Sequence, residues 1–141
     1  MIIVSRRYAF SASHRLHVEE LSEQENQEIF GKCNNPFGHG HNYELEVSAK
    51  ATIHPETGRA VDLQKLDDLV HRAVLGRYDH RYLNDELPEF RLLVPTTENL
   101  GLEIQSHLQG AWNEVFPNGS AQLAGIRIFE TERNIIQVGG I

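Results

Sequence analysis

The sequence predicts an α+β domain, with one four-stranded antiparallel sheet carrying two helices on the same face, and three observations support that expectation. Residues 41–53 alternate apolar and polar at every step. Two apolar stripes of helical spacing occupy the middle of the chain. The order strand, strand, helix, helix, strand, strand keeps the helices apart from the sheet. No internal repeat, low-complexity tract or Pro/Gly/Ser-rich linker divides residues 1–141, so a single domain is expected.

The first strand covers residues 2–14, where Ile2, Val4, Tyr8, Phe10 and Ala12 share a phase broken only by Arg6. In the second, Tyr43, Leu45, Val47, Ala49, Ala51 and Ile53 point one way and polar residues the other, the period of a half-buried strand. Asp62 places an N-cap carboxylate ahead of Leu63, Leu66, Leu69, Val70, Ala73 and Val74, and Gly76 marks the expected end of that helix. Pro95-Thr96-Thr97 starts the second helix, whose stripe of Leu100, Ile104, Leu108, Ala111, Trp112 and Val115 stops at Pro117-Asn118-Gly119. Residues 121–130 and 134–138 read as a closing hairpin around Thr131-Glu132-Arg133-Asn134. Four strands leave two bare edges, which a neighbouring chain commonly covers, so an oligomer is expected.

Composition narrows the function classes. Thirteen Lys and Arg against twenty Asp and Glu give a net charge of -7, which disfavours nucleic acid and acidic membranes as partners. Nowhere do about 18 apolar residues run together, and the first residues lack a signal-peptide core, so neither a membrane span nor an export signal is expected. A single cysteine, Cys33, precludes an internal disulfide and suits a reducing, cytoplasmic setting.

Eight histidines are many for 141 residues, and three of them lie at strand ends. In Gly38-His39-Gly40-His41 the strand period puts both imidazoles on one side, about 7 Å apart along the backbone. His14 closes the first strand in phase with Phe10 and Ala12. Three neutral imidazoles with a fourth position open make a catalytic zinc arrangement, as against a turn with two solvated rings and a core histidine. Cys33 stands six residues before His39, with five between, so its sulfur can fold back as a ligand or a base, or simply pack as a small apolar residue.

Other candidates carry both a structural and a chemical reading. Asp79-His80 pairs an acid with a histidine in the loop after the first helix. Glu130 shares the apolar phase of Ala124, Ile126 and Ile128, and a carboxylate there needs a partner. Either Arg127 or Arg133 could serve, or the N–H edge of a pterin or guanine, to which a carboxylate makes two parallel hydrogen bonds. Thr96-Thr97-Glu98-Asn99 is sufficiently explained as a helix cap.

Together Phe10-Ser-Ala-Ser-His14-Arg-Leu, Gly31-Lys-Cys33-Asn-Asn-Pro-Phe-Gly-His39-Gly-His41-Asn-Tyr, Asp79-His80, Thr96-Thr97-Glu98-Asn99 and Glu130-Thr131 resemble the 6-pyruvoyl-tetrahydropterin synthase family, in family order and from end to end. The resemblance implies the tunnelling fold, in which trimers close their sheets into a barrel and two trimers stack as a hexamer. It implies Zn²⁺ on His14, His39 and His41, and Cys33 as catalytic base. Asp79 and His80 would relay protons, Glu130 would anchor the pterin, and Thr96, Thr97 and Glu98 would line its pocket. Phe37 departs from the polar residue that relatives carry at the pocket rim.

The implied reaction turns 7,8-dihydroneopterin triphosphate into 6-pyruvoyl-tetrahydropterin, with loss of triphosphate and no nicotinamide, in the cytoplasm. Five residues between Cys33 and His39 match the pyruvoyl type, whereas the 6-carboxy-tetrahydropterin synthase of deazaguanine biosynthesis typically has three. A non-catalytic zinc and pterin-binding module is the alternative from another class. Arg15, Lys32, Arg77 and Arg81 lie near the motifs as candidate holders of the triphosphate.

Overall fold

Matched alternation on two long segments sets the sheet. In the computed structural model, which describes residues 1–140, β1 (Ile2–His14) and β2 (His39–Ala51) pair antiparallel from Ile2 opposite Ala51 to His14 opposite His39. Phe10 faces Tyr43 and Ala12 faces His41, so a slip of one residue would turn either apolar set to the wrong side. β4 (Gln122–Phe129) pairs with β2, with a bulge between Ser48 and Ala49, and β5 (Ile135–Gly139) pairs with β4.

The expected four-stranded antiparallel sheet is corrected to a five-stranded mixed one, ordered β3-β1-β2-β4-β5. The added strand β3 (Arg81–Tyr82) runs parallel to β1 at Ala12 and Ser13. Two residues have no period to read. They dock because the His80 amide donates to the Ser11 carbonyl (2.6 Å) and the Ser11 amide donates to the Asp79 carboxylate (2.9 Å).

Helices differ from expectation in extent more than in place. α2 (Leu63–Val70) starts where Asp62 accepts the Gln64 and Lys65 amides, continues through a π-helical turn at His71–Leu75, and passes Gly76 into α3 (Gly76–Tyr78). Gly76 has ordinary helical angles and does not end the helix; Asp79 does, by turning extended. α4 (Leu83–Glu86) is one turn, and α5 (Thr97–Val115) follows the expected stripe. α1 (Glu23–Phe30) has no apolar stripe and was not expected, although Ser22 and Glu25 form a reciprocal capping box at its start.

One contiguous core lies between the sheet and the helices. Tyr43, Leu45 and Val47 of β2, Ile126 and Ile128 of β4, Leu66 and Leu69 of α2 and Leu100, Ile104 and Leu108 of α5 are all fully buried in it. Arg6, the break in the phase of β1, lies beside α2, where Asp67 takes both its Nε (2.7 Å) and Nη2 (3.0 Å) and also the Tyr8 hydroxyl (2.7 Å). Among the described residues, no helix is long and apolar enough to cross a membrane.

A second charge cluster braces the helical layer. Glu89 accepts from Arg77 Nε (2.9 Å) and the Tyr78 hydroxyl (2.8 Å), and His107 Nε2 lies 3.2 Å away. Burial alone would raise its pKa, but the hydrogen bonds from Arg77, Tyr78 and His107 outweigh that and bring it down to about 2. A depressed carboxylate stabilises the fold above its unfolded pKa near about 4.3 and loses that contribution as pH falls towards about 2. Denaturant midpoints measured through this window should fall with acid, and Glu89→Gln should remove up to about 3 kcal/mol of that dependence. An unchanged acid profile in the variant would assign the loss to other carboxylates.

Candidate metal and active site

The β1–β2 ladder brings its end histidines together on the core-facing side. His14 lies directly across from His39, and Ala12 across from His41. Ring centres are 4.5 Å apart for His39 and His41 and 5.0 Å for His14 and His41, both pairs nearly perpendicular. Cys33 sits on a 3-10 turn, Gly31–Asn34, that folds back over the strand ends. His14, Cys33 and His41 each offer one ligand atom within 4.8 Å of the others; His39 stands beside this trio, outside that spacing.

Amide side chains do the work of a ladder where β1 stops pairing with β2. The Leu16 amide donates to the Cys33 carbonyl (2.7 Å), and Asn34 Nδ2 donates to the Leu16 carbonyl (2.8 Å). Asn84 takes the Arg15 amide on Oδ1 and donates to the Arg15 carbonyl from Nδ2, both at 2.8 Å. Asn26, wholly buried, receives the Val18 amide and donates to the carbonyls of Val18, Leu21 and Ser22. Nothing in the spacing of these asparagines announces this role, because it depends on which backbone the fold sets beside them.

Electrostatics follow from burial. The Pro95 carbonyl lies 2.7 Å from His14 Nδ1 and can only accept, so Nδ1 carries the proton and Nε2 the lone pair. His14 Nε2 and His41 Nε2 are both buried without a hydrogen-bond partner. Burial pushes both imidazoles below their ordinary pKa, with the Glu130 charge opposing it in each case. Burial, then Glu130, pushes the Cys33 thiol up. Two orphaned nitrogens are costly unless something fills the space between them, and imidazole lone pairs facing one buried space fit a zinc ion.

Glu130 stands just past β4, and its carboxylate faces the same group. Thr97, buried at the first turn of α5, donates its hydroxyl to Glu130 Oε2. Asn134 Nδ2 lies 3.4 Å and His41 Nε2 3.9 Å from Glu130 Oε1. Neither Arg127 nor Arg133 approaches it: Arg127 instead donates to Gln137 at 3.1 Å. Thr96 caps α5 by accepting the Asn99 amide, and Glu98 is exposed. The Tyr43 hydroxyl beneath His41 is buried and unpartnered, a feature the alternation pattern hides by counting Tyr43 as core.

Asp79 and His80 belong to the same end of the sheet but not to the trio. His80 adopts a left-handed backbone (φ 60°), its side chain is 82% exposed, and its Nδ1 lies 3.1 Å from Asp79 Oδ1. The Ser11 amide, more than any other group, holds Asp79 below the usual carboxylate range. With Ser11, Gly40, His41, Asn42, Arg81 and Tyr82, His80 lines a cavity of about 500 Å³. Gly38, also left-handed (φ 86°), lets the Tyr82 ring close to 3.1 Å from where a Cβ would stand. Phe37 is 95% exposed.

A family model described as 6-pyruvoyl tetrahydropterin synthase matches residues 3–140. The Homo sapiens 6-pyruvoyl tetrahydrobiopterin synthase is 42% identical over 137 residues, covering 97% of this chain and 90% of its own length. The Dictyostelium discoideum protein of that name is 38% identical over 139 residues, covering 99% and 96%. The solved structure of Caenorhabditis elegans 6-pyruvoyl tetrahydropterin synthase superposes with a TM-score of 0.86 at 38% identity, over 99% of this chain and 96% of that one.

The hydrogen bond to Pro95 and the depressed pKa generate one expectation for His14. In the metal-free protein, nitrogen-detected NMR should find it neutral at pH 6.5, with the proton on Nδ1. A doubly protonated ring at that pH would contradict the arrangement.

Proposed function

Because the chain belongs to the 6-pyruvoyl tetrahydropterin synthase family, we propose that it is a lyase that converts 7,8-dihydroneopterin triphosphate into 6-pyruvoyl-tetrahydropterin in tetrahydrobiopterin-type pterin biosynthesis. The observation that carries the reading is the meeting of two orphaned imidazole nitrogens, a thiol and a carboxylate at one end of the sheet. Loss of triphosphate leaves an enol that tautomerises to one carbonyl and a terminal methyl, while the carbinol next to the ring becomes the other carbonyl and gives its two hydrogens to the ring C=N, so no external redox partner is needed.

Each residue has a task in that scheme. His14 and His41, with His39 beside them, hold zinc, for which burial favours the neutral form of both rings and His14 is already in the required tautomer. The ion supplies Lewis acidity at the substrate's side-chain hydroxyls. Glu130 accepts the two parallel N–H groups of the pterin edge on its two oxygens while Thr97, donating to Oε2, holds the carboxylate in place, which fixes the C–H bond towards Cys33. Thr96 and Glu98 frame the ring at the start of α5.

Cys33 takes the side-chain proton as thiolate, and because burial raises its pKa it needs a group to receive its own proton. His80, with Asp79 behind it, fills that role. The pair directly precedes the edge strand β3, so closing three sheets into a barrel brings it to a joint between copies. A cytoplasmic hexamer of two such trimers follows from this reading.

Incubating the zinc-loaded protein with 7,8-dihydroneopterin triphosphate tests the assignment by product: a pyruvoyl side chain supports it, and a carboxylate at C6 favours the deazaguanine-pathway reading. Cys33→Ala should keep zinc and pterin binding but lose roughly 10²- to 10⁴-fold in turnover. Zinc lost with activity would make Cys33 a ligand. Glu130→Gln should weaken pterin binding by on the order of 2 kcal/mol, since an amide N–H then faces a ring N–H. Sedimentation across a range of concentrations should find an assembly larger than a monomer; a monomer throughout would remove the barrel.

A further inference from the structure

A triphosphate carries several negative charges and approaches a chain of net charge -7, so it needs local cations. The pterin also has direction: its amino-pyrimidine edge and its C6 side chain lie at opposite ends of the ring system. With Glu130 at the first end, the phosphates lie at the end of the ligand away from Glu130 and the turn that follows it. Arg133, in that turn, is therefore at the wrong end.

Of the cations near the site motifs, two are already neutralised. Arg77 is bound through two nitrogens to Glu89, and Arg81 Nη1 lies 3.3 Å from Glu86. The cavity of about 630 Å³ that both line, with Arg72 and His107, contains none of His14, Cys33, His39, His41 or Glu130, and although Arg81 also reaches the cavity of about 500 Å³ beside His41 and His80, Glu86 lines it too and Cys33 lines neither. A triphosphate there would break ion pairs and lie away from the thiol.

Arg15 and Lys32 differ on each count. Among the described residues, neither has a carboxylate oxygen within 4.0 Å. Arg15 follows His14 directly, and Lys32 precedes Cys33 directly. Lys32 lines a cavity of about 360 Å³ with Gln27, Gly31, Asn34, Asn35 and His39, so this space adjoins the histidine group. Arg15 Nε donates to the carbonyl of Asn34, a wall of that same cavity (3.3 Å), which leaves its two Nη groups unused. Asn84 grips the Arg15 backbone on both its amide and its carbonyl, so the guanidinium is oriented before any ligand arrives.

We propose that Arg15 and Lys32 form the triphosphate subsite, one cation on each side of the Asn34 turn; the assignment of that ligand rests on the pterin-triphosphate reading. Inorganic triphosphate is the direct probe, by calorimetric titration of the purified protein with zinc quantified before and after. Lys32→Met and Arg15→Met should each weaken its binding about tenfold or more, the loss of one charge-assisted contact. Phosphate-free 7,8-dihydroneopterin should bind both variants within about twofold of the parent, which separates a lost subsite from a damaged fold. Arg81→Met should bind triphosphate as the parent does.

Equal triphosphate affinity in parent and both variants overturns the proposal, as does absent binding in the parent or a loss confined to Arg81→Met. If triphosphate binding depends on Arg15 and Lys32 while the parent forms no pyruvoyl product, the subsite stands and the assigned reaction fails.

Discussion

The register between β1 and β2 is the constraint on which the rest of the molecule depends. Phe10 over Tyr43, Ala12 over His41 and His14 over His39 are consecutive same-face pairs of a single ladder. The first pair stacks at 5.0 Å in the core, and the last two form the site. A slip of one residue would expose Tyr43, Leu45 and Val47 and carry the imidazoles to the other face. Core burial and site geometry are therefore enforced by the same hydrogen bonds.

A second constraint comes from three consecutive residues at the start of α5. The Pro95 carbonyl sets the tautomer of His14, the Thr96 hydroxyl caps the helix, and the Thr97 hydroxyl holds Glu130. The helix is anchored in the core by Leu100, Ile104 and Leu108. Packing of its apolar stripe thus locates a ring on β1 and a carboxylate after β4 together. The helix cap that suffices to explain Thr96 does not explain Thr97, whose side chain turns inward, where only the tertiary fold supplies an acceptor.

The site keeps polar atoms in places where a purely structural core would not. His14 Nε2, His41 Nε2 and the Tyr43 hydroxyl are buried without partners within one cluster of rings. Unsatisfied groups of this kind destabilise a fold by about 1–3 kcal/mol each. Their grouping around a thiol and a carboxylate marks a space shaped for an ion and a substrate, whereas Glu89, with three partners, is a half-buried acid used for stability.

Local chemistry was enough to determine much of this protein. Unbroken alternation determined β2, the apolar stripes placed α2 and α5, and strand phase put His14, His39 and His41 on one side, because periodicity is a property of neighbouring residues alone. The capping box at Ser22 and Glu25 was equally present in the chain, but α1 has no apolar face to make it visible. Tertiary structure decided what depends on distant partners. β3 exists only because Ser11 offers its backbone to Asp79 and His80, and Gly76 stays helical because a π-turn carries α2 past it. Cys33 comes within 4.8 Å of His14 and His41 because the Leu16 amide and the Asn34 side chain hold its turn over the strand ends. Apart from the turn at Gly76, such contacts join residues 17 or more positions apart, and no local period encodes them.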